Sequence, residues 1–276
     1  MSLQVATGKA SEVNTVLEAL QRGREDHQFF SRFFLGRKLH DGQLEYVTNA
    51  NATVNCLATA NRYGKTTLLS HRHFHKCFYK TGGEGRYIVD DVLDQQAFTK
   101  LRFNTVHTAA LWETTALVWD ESHKMINENA RLDAFIKDKP RSKPPHIDFI
   151  HGSRWKFRTL GHNAEGIDGN SFYLISIDEA GWIENLEEMM QNVLRVRVAD
   201  VQGCIDIVGT FKPGVSKDFY KFCVRASAHT GIGLGFDHRD QAQETDENER
   251  LDASIRRYLR DYGIDLDEFA EAVGGY

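Results

Sequence analysis

The chain has 276 residues, 41% hydrophobic and 26% charged, with a net charge of −5 at pH 7 and a pI near 6.2. That length suits one large α/β domain with attachments or two small domains, and the acidic balance excludes a chain-wide affinity for nucleic acid, so a polyanion must be met by a local basic patch. No run of about 18 apolar residues and no charged-then-apolar leader occur, and Cys56, Cys77, Cys204 and Cys223 lack C-x-x-C spacing, which suits reduced buried thiols in a soluble protein.

The first residues read as unstructured. Val13, Val16, Leu17 and Leu20 then fall at helical spacing and predict a short amphipathic helix. Phe29, Phe30, Phe33 and Phe34 read as a buried staple. The turn Leu39-His40-Asp41-Gly42 leads into a helix carrying Gln43, whose amide donates and accepts and so has the chemistry to read an adenine edge; a surface helix position is the alternative. A short apolar run (Val54, Cys56, Leu57) enters Ala58-Thr59-Ala60-Asn61-Arg62-Tyr63-Gly64-Lys65-Thr66-Thr67. This reads as a Walker A phosphate loop. Gly64 permits close approach to an anion, the helix start offers free N–H groups, Lys65 supplies a point charge, and the Thr66 hydroxyl can ligate magnesium. Thr59 stands where the motif's first glycine is expected. In the following helix, expected over 66–79, His71 and His75 have metal-ligand spacing without a third ligand.

Arg86-Tyr87-Ile88-Val89, ending in Asp90-Asp91, predicts a strand, and 94–105 the helix behind it, an alternation that signals a parallel sheet. Residues 106–136 read as mainly helical, with Trp112, Leu117, Val118, Met125 and Ile126 as core candidates. Positive charge is densest over 137–158, where strands at 146–150 and 154–160 flank the turn His151-Gly152-Ser153. Alternation puts Arg154, Lys156 and Arg158 on one face and Trp155 and Phe157 on the other. Three like charges without an acidic partner repel unless an anion compensates, so that face is a candidate DNA- or phosphate-binding surface, with a solvated face as the alternative.

Phe172-Tyr173-Leu174-Ile175-Ser176-Ile177 reads as a strand buried on both faces, ending in Asp178-Glu179-Ala180. Ile205-Asp206-Ile207-Val208-Gly209-Thr210 is another, with Thr210 at the carboxyl end where open α/β sheets bind ligands. Beyond Tyr220 come a glycine-rich loop at 231–235, a charged tract at 237–250 and an amphipathic helix at 255–269.

The loop and the acidic strand end together make an ATP-hydrolysing site, with an acidic helix cap as the alternative for the latter. Asp178 is placed to hold magnesium opposite Thr66, and Glu179 to orient or deprotonate the attacking water, a Walker B arrangement that argues for hydrolysis. A second positive charge for the transition state comes from Arg62 in cis, or from Arg102, Arg195 or Arg197 in trans. Thr210 is placed to sense the γ-phosphate.

Gln43, then Ala60-Asn61-Arg62-Tyr63-Gly64-Lys65-Thr66, then Leu174-Ile175-Ser176-Ile177-Asp178-Glu179-Ala180, then Gly209-Thr210, resembles the ATPase half of the large terminase subunit of tailed bacteriophages. Ile150-His151-Gly152-Ser153, Gly166-Ile167-Asp168-Gly169 and Phe219-Tyr220 add to the likeness, which runs over about residues 30–225. It implies an α/β P-loop NTPase fold of the RecA/ASCE type, a mostly parallel central sheet flanked by helices with a small C-terminal helical or linker subdomain. The implied division is an N-terminal helical segment (1–28), the ATPase core (29–225) and a lid or linker (226–276).

The resemblance further implies a motor that hydrolyses ATP with Mg2+ to drive double-stranded DNA into a procapsid. Gln43 resembles the adenine-contacting glutamine, and Asn61, Arg62, Tyr63, Gly64, Lys65, Thr66 and Thr67 the nucleotide loop. Glu179, Lys65 and Arg62 are then catalytic, Thr66 and Asp178 hold the metal, and Gly209 and Thr210 form the coupling motif. Implied partners are DNA, the portal protein and the small terminase subunit, with the chain a monomer alone and a homo-oligomeric ring on the portal, in the host cytoplasm. Many relatives place the loop arginine where Asn61 stands, and Asp90-Asp91 follow a strand whose tip is often neutral. Large terminases carry a nuclease domain after the ATPase; with its end at Tyr276 the chain is expected to be an excised ATPase domain or a naturally split subunit without nuclease activity. The alternatives are a helicase-like or DNA repair translocase ATPase, or a nucleotide-gated DNA- or protein-binding module with little turnover.

Overall fold

The computed structural model describes residues 18–60, 62–79, 104–138, 140–150, 152–162, 164–167, 170–199, 201–211, 217–230 and 235–236. The expectations for the first residues, for the strand at 86–89 and nearly all of the helix at 94–105, and for the charged tract and helix past 237 lie outside them.

The described strands are β1 (Val54–Ala58), β2 (Asn104–Ala109), β3 (Arg141–Ser142), β4 (Pro145–Asp148), β5 (Arg154–Thr159), β6 (Leu174–Asp178), β7 (Cys204–Gly209) and β8 (Gly235–Phe236). They form one sheet in the order β3-β4-β5-β2-β6-β7-β1-β8. β5, β2, β6, β7 and β1 run parallel, with antiparallel additions at both edges. β6 and β7 are buried along their whole length, which requires helices on both faces. On one face the helices Lys65–Tyr79 and Trp112–Glu128 pack Leu69, Phe74, Phe78, Val118 and Met125 against Trp155 and Phe157. On the other, residues 186–199, a helix with a π turn at Met190–Leu194, and the helix Lys217–Thr230 cover Ile175, Ile177, Ile205 and Ile207. Among the described residues no helix is long and apolar enough to cross a membrane.

Several expectations hold. Residues 18–25 are helical, Phe30 and Phe34 are buried, and β4 and β5 form the antiparallel hairpin with Ile147 opposite Trp155 and Asp148 opposite Arg154. One does not. Residues 104–109 form β2, a central strand, where a helix was expected. Its buried side chains include Thr105, His107 and Thr108, so the strand lacks the apolar run by which its neighbours are recognised. Trp112 and Leu117, expected in the core, are 39% and 58% exposed.

The helix Lys65–Tyr79 meets the sheet through directional polar contacts as well as apolar ones. His73 Nε2 and His107 Nδ1 both bond the Ser176 hydroxyl, at 2.7 and 2.8 Å. Deeper in the same interface, the Ser153 hydroxyl donates to the Cys77 carbonyl at 2.8 Å. Burial drives His73 and His107 to remain neutral, His107 with a pKa of about 3. Beside them lies a buried ion pair. Arg72 Nε and Nη2 donate to the two oxygens of Asp206 on β7 at 2.7 and 3.1 Å. Asn55 of β1 donates to the same carboxylate at 2.9 Å, and Arg72 also donates to the Ala50 carbonyl at 3.0 Å.

Removing one partner leaves a buried charge uncompensated. Arg72→Ala or Asp206→Ala is therefore expected to cost about 3–5 kcal/mol in urea unfolding. The Arg72→Met/Asp206→Asn double variant should lose less than the sum of its single variants, because neither charge then stays buried alone.

Candidate active site

Parallel strands place their carboxyl ends along one edge, and the register aligns Ala58 with Gly209 and Ala109 with Asp178. The loop after β1 thus faces the turns that follow β6 and β7. Lys65, 9% exposed at the start of its helix, donates from Nζ to Thr210 Oγ1 at 3.0 Å and lies 3.3 Å from Glu179 Oε1. The structure so unites residues from three separate segments. Thr59 N–H donates to the Gly209 carbonyl at 2.9 Å, tying the loop's entry to the β7 tip. Gly209 admits no side chain, since a Cβ there would lie 2.9 Å from the Ala180 nitrogen and 3.1 Å from that of Gly181.

Asp178 ends β6 and is 3% exposed, accepting the Glu179 N–H at 2.8 Å. Burial, supplemented by the Glu179 charge, raises its pKa from 3.8 to about 6, while the Glu179 N–H and Lys65 pull the other way. Glu179 itself adopts the left-handed conformation (φ 51, ψ 40), strained for a residue with a side chain, at the turn that brings its carboxylate to Lys65. Thr66 and Thr67 occupy the first turn of the helix that packs on β6. A buried carboxylate whose ionised form lacks a compensating cation, together with a threonine hydroxyl, is a hard-oxygen donor set that fits magnesium.

Behind the loop, Gln43 is 4% exposed. Its amide nitrogen donates to the Gly64 carbonyl at 3.0 Å and its oxygen accepts the His40 N–H at 3.1 Å. His40 caps the helix Asp41–Asn49, accepting the Gln43 N–H at Nδ1. The proton therefore sits on Nε2, which donates to the Tyr63 carbonyl at 2.9 Å. Sequence reasoning missed His40, although a polar residue three before a glutamine at a helix start is the spacing of a capping box.

Other expected residues stand apart. Arg62 is exposed at the loop apex in the left-handed region (φ 67). Asn61 and Arg102 lie outside the described residues. Arg195 and Arg197 are on the helix at 195–199, and burial next to the Arg225 charge lowers the pKa of Arg195. The basic face of β5 does have an acidic partner, contrary to expectation: Asp148, directly opposite on β4, takes Arg154 at 2.5 and 2.7 Å. Lys156 donates to Asn170 at 2.9 Å, and Arg158 to the backbone carbonyls of Pro145 and Phe157 at 3.1 and 2.7 Å. His71 and His75 pack against His27 and Phe30 in the core-facing half of their helix, and His27 Nδ1 lies 3.1 Å from His71 Nε2.

Neither protein-family models nor curated protein sequences match this chain. Solved structures do. The HK97 bacteriophage large terminase superposes with a TM-score of 0.53 at 15% identity, covering 89% of this chain and 54% of the HK97 chain. This chain thus spans about half the length of that terminase. The ATPase domain of the Thermus phage P74-26 large terminase superposes with a TM-score of 0.56 at 13% identity over 90% of this chain and 97% of that domain. A point mutant of that domain gives 0.55 at 14% identity, with 90% and 96% covered. The fold is that of the large terminase ATPase domains, a P-loop NTPase fold.

The pKa of Asp178 carries a cost at neutral pH. Because its folded-state pKa lies above 3.8, the group favours folding fully only below that value, and the contribution is lost as pH rises through about 6. With a chelator present, Asp178→Asn should stabilise the protein at pH 8 by up to about 3 kcal/mol, a gain that vanishes near pH 4. Chemical denaturation of both proteins across that range reads the difference.

Proposed function

We propose that this chain is an ATP hydrolase of the large terminase type, using the cycle of nucleotide binding and hydrolysis to move double-stranded DNA into a procapsid. The observation that carries the reading is the convergence of Lys65, Glu179 and Thr210 at the carboxyl edge of the sheet, in a fold shared with terminase ATPase domains. Magnesium, held by Thr66 and Asp178, would neutralise charge on the β- and γ-phosphates. Lys65 moves from Glu179 to the incoming phosphates, since a polyphosphate offers it more negative charge than one carboxylate. That exchange leaves Glu179 able to accept a proton from, or orient, the water beyond the γ-phosphate. It also removes the Lys65 donor from Thr210, so the β7 tip registers whether a nucleotide is present. Arg62, at the loop apex, is the cis candidate for charge on the transition state.

DNA, the portal and the small terminase subunit are the partners this reading assigns, with a ring of copies on the portal in the host cytoplasm. On the β5 face Asp148 pairs with Arg154, and this reading assigns Lys156 and Arg158, the other two cationic side chains of that strand, to contact with a DNA backbone.

Steady-state phosphate release tests the assignment. Glu179→Gln should lower kcat about 10²- to 10⁴-fold while ATP still binds, and Lys65→Ala should abolish ATP binding. Absence of phosphate release by the wild-type chain with Mg2+, with and without double-stranded DNA, overturns it, and retained binding under those conditions would favour a nucleotide-gated binding module. For the DNA face, Lys156→Ala should reduce the slope of log K against log salt by about 1; an unchanged slope removes β5 from the DNA surface.

A further inference from the structure

We propose that His40 and Gln43 are positioning residues for the phosphate loop, and that Gln43 supports nucleotide binding without reading the base. The inference rests on the ATPase reading above.

A peptide unit is planar and trans, so its C=O and N–H point in opposite directions. The Tyr63 carbonyl is held by His40 Nε2 at 2.9 Å, and the Gly64 carbonyl accepts both the Leu68 N–H of its own helix and Gln43 Nε2, each at 3.0 Å, while Gln43 Nε2 also reaches Tyr63 O at 3.5 Å. With the Tyr63 carbonyl drawn toward the helix Asp41–Asn49, the Gly64 N–H faces away from it, and the Gly64 carbonyl, shared by Leu68 and Gln43, turns the Lys65 N–H out of the helix start. Both N–H groups join the free first-turn donors of the helix Lys65–Tyr79 as an anion cradle. The side chains behind the loop therefore direct the Gly64 N–H through the Tyr63 carbonyl and reinforce the helix bond that directs the Lys65 N–H.

The packing is built for this contact. Gly64 has φ +89, and a Cβ there would lie 2.6 Å from Gln43 Nε2. A Cβ at Gly42 would collide with the Tyr63 hydroxyl. Gln28 grips Leu39 on both its backbone N–H and C=O, at 3.0 and 2.8 Å, and so fixes the residue from which His40 projects.

Reading an adenine edge takes a donor and an acceptor from the same amide. In Gln43 the nitrogen donates to the Gly64 carbonyl and reaches the Tyr63 carbonyl, the oxygen accepts the His40 N–H, and the side chain is 4% exposed, so neither N–H is left for a base. Turning the amide to a base would take one of two donors from the Gly64 carbonyl and break the capping box of the helix behind it.

The test compares binding of ATP, GTP and inorganic tripolyphosphate, each with Mg2+, to the wild-type chain and to Gln43→Met, His40→Ala and His40→Asn. Met matches the volume of Gln without its hydrogen bonds. Asn restores the helix cap but is too short to reach the Tyr63 carbonyl, so it separates capping from loop-holding. Each variant should bind all three ligands about ten-fold more weakly, with an unchanged ATP-to-GTP ratio, and His40→Asn should restore the melting temperature lost in His40→Ala without restoring affinity. A loss confined to ATP in Gln43→Met would overturn the proposal by making Gln43 a base reader. Recovery of affinity in His40→Asn would overturn it by making His40 only a cap. Should Gln43→Met fail to fold, the His40 pair still decides. Wild-type protein that binds none of the three overturns the ATPase reading itself, a result distinct from either of those.

Discussion

The site depends on the buried pair between Arg72 and Asp206. Arg72 lies on the helix that begins at Lys65, and Asp206 on the strand that runs into Thr210, so the pair sets the helix against β7 before either reaches the edge. Both side chains are at or near complete burial, 4% and 0% exposed, and neither charge has water as an alternative partner. Burial alone would lower the pKa of Arg72, but the charge of Asp206 outweighs it and raises that pKa above the ordinary arginine value. Asn55 adds β1, the strand that leads toward Lys65, to the same carboxylate. Three elements are thereby registered at one point, and the 3.0 Å contact between Lys65 and Thr210 is its outcome at the edge.

Polar contacts of the same helix with the sheet extend that registration. An apolar interface tolerates sliding, since dispersion contacts are exchanged for similar ones. The bonds of His73 and His107 to the Ser176 hydroxyl do not, because a shift along β6 leaves buried polar atoms unpaired. Ser176 precedes Asp178 on the same face of β6, so this neutral network and the buried Asp178 carboxylate are positioned by one stretch of strand. Stability and site geometry pull apart at Asp178 and Glu179, where a desolvated carboxylate and a left-handed backbone are held in place by the surrounding fold.

Much of this was legible from residue order. β6 and β7 announce themselves as apolar runs closed by Asp178-Glu179 and Gly209-Thr210, and the turn at His151-Gly152-Ser153 foretold the hairpin of β4 with β5. β2 did not, because Thr105, His107 and Thr108 bond across to β6 and the helices, and a buried strand satisfied by such partners carries no apolar signature. The acidic partner of Arg154 was likewise hidden. Asp148 was visible in the sequence, but only the pairing of β4 with β5 puts it opposite the guanidinium.

Local chemistry therefore determined the kinds of group present: a glycine that frees the loop, a lysine and hydroxyl beside it, a carboxylate pair at a strand end, a threonine after another. Those features depend on neighbours in the chain, and residue order records neighbours. Only the tertiary structure decided which groups meet. Lys65 reaches Glu179 and Thr210, Arg72 reaches Asp206, and the amide of Gln43 turns to the loop carbonyl, because parallel strands bring together segments more than a hundred residues apart in the first two cases and a tight pair of glycines brings helix and loop into contact in the third. Such encounters are set by packing and by the pairing of buried charges, and those depend on the whole fold.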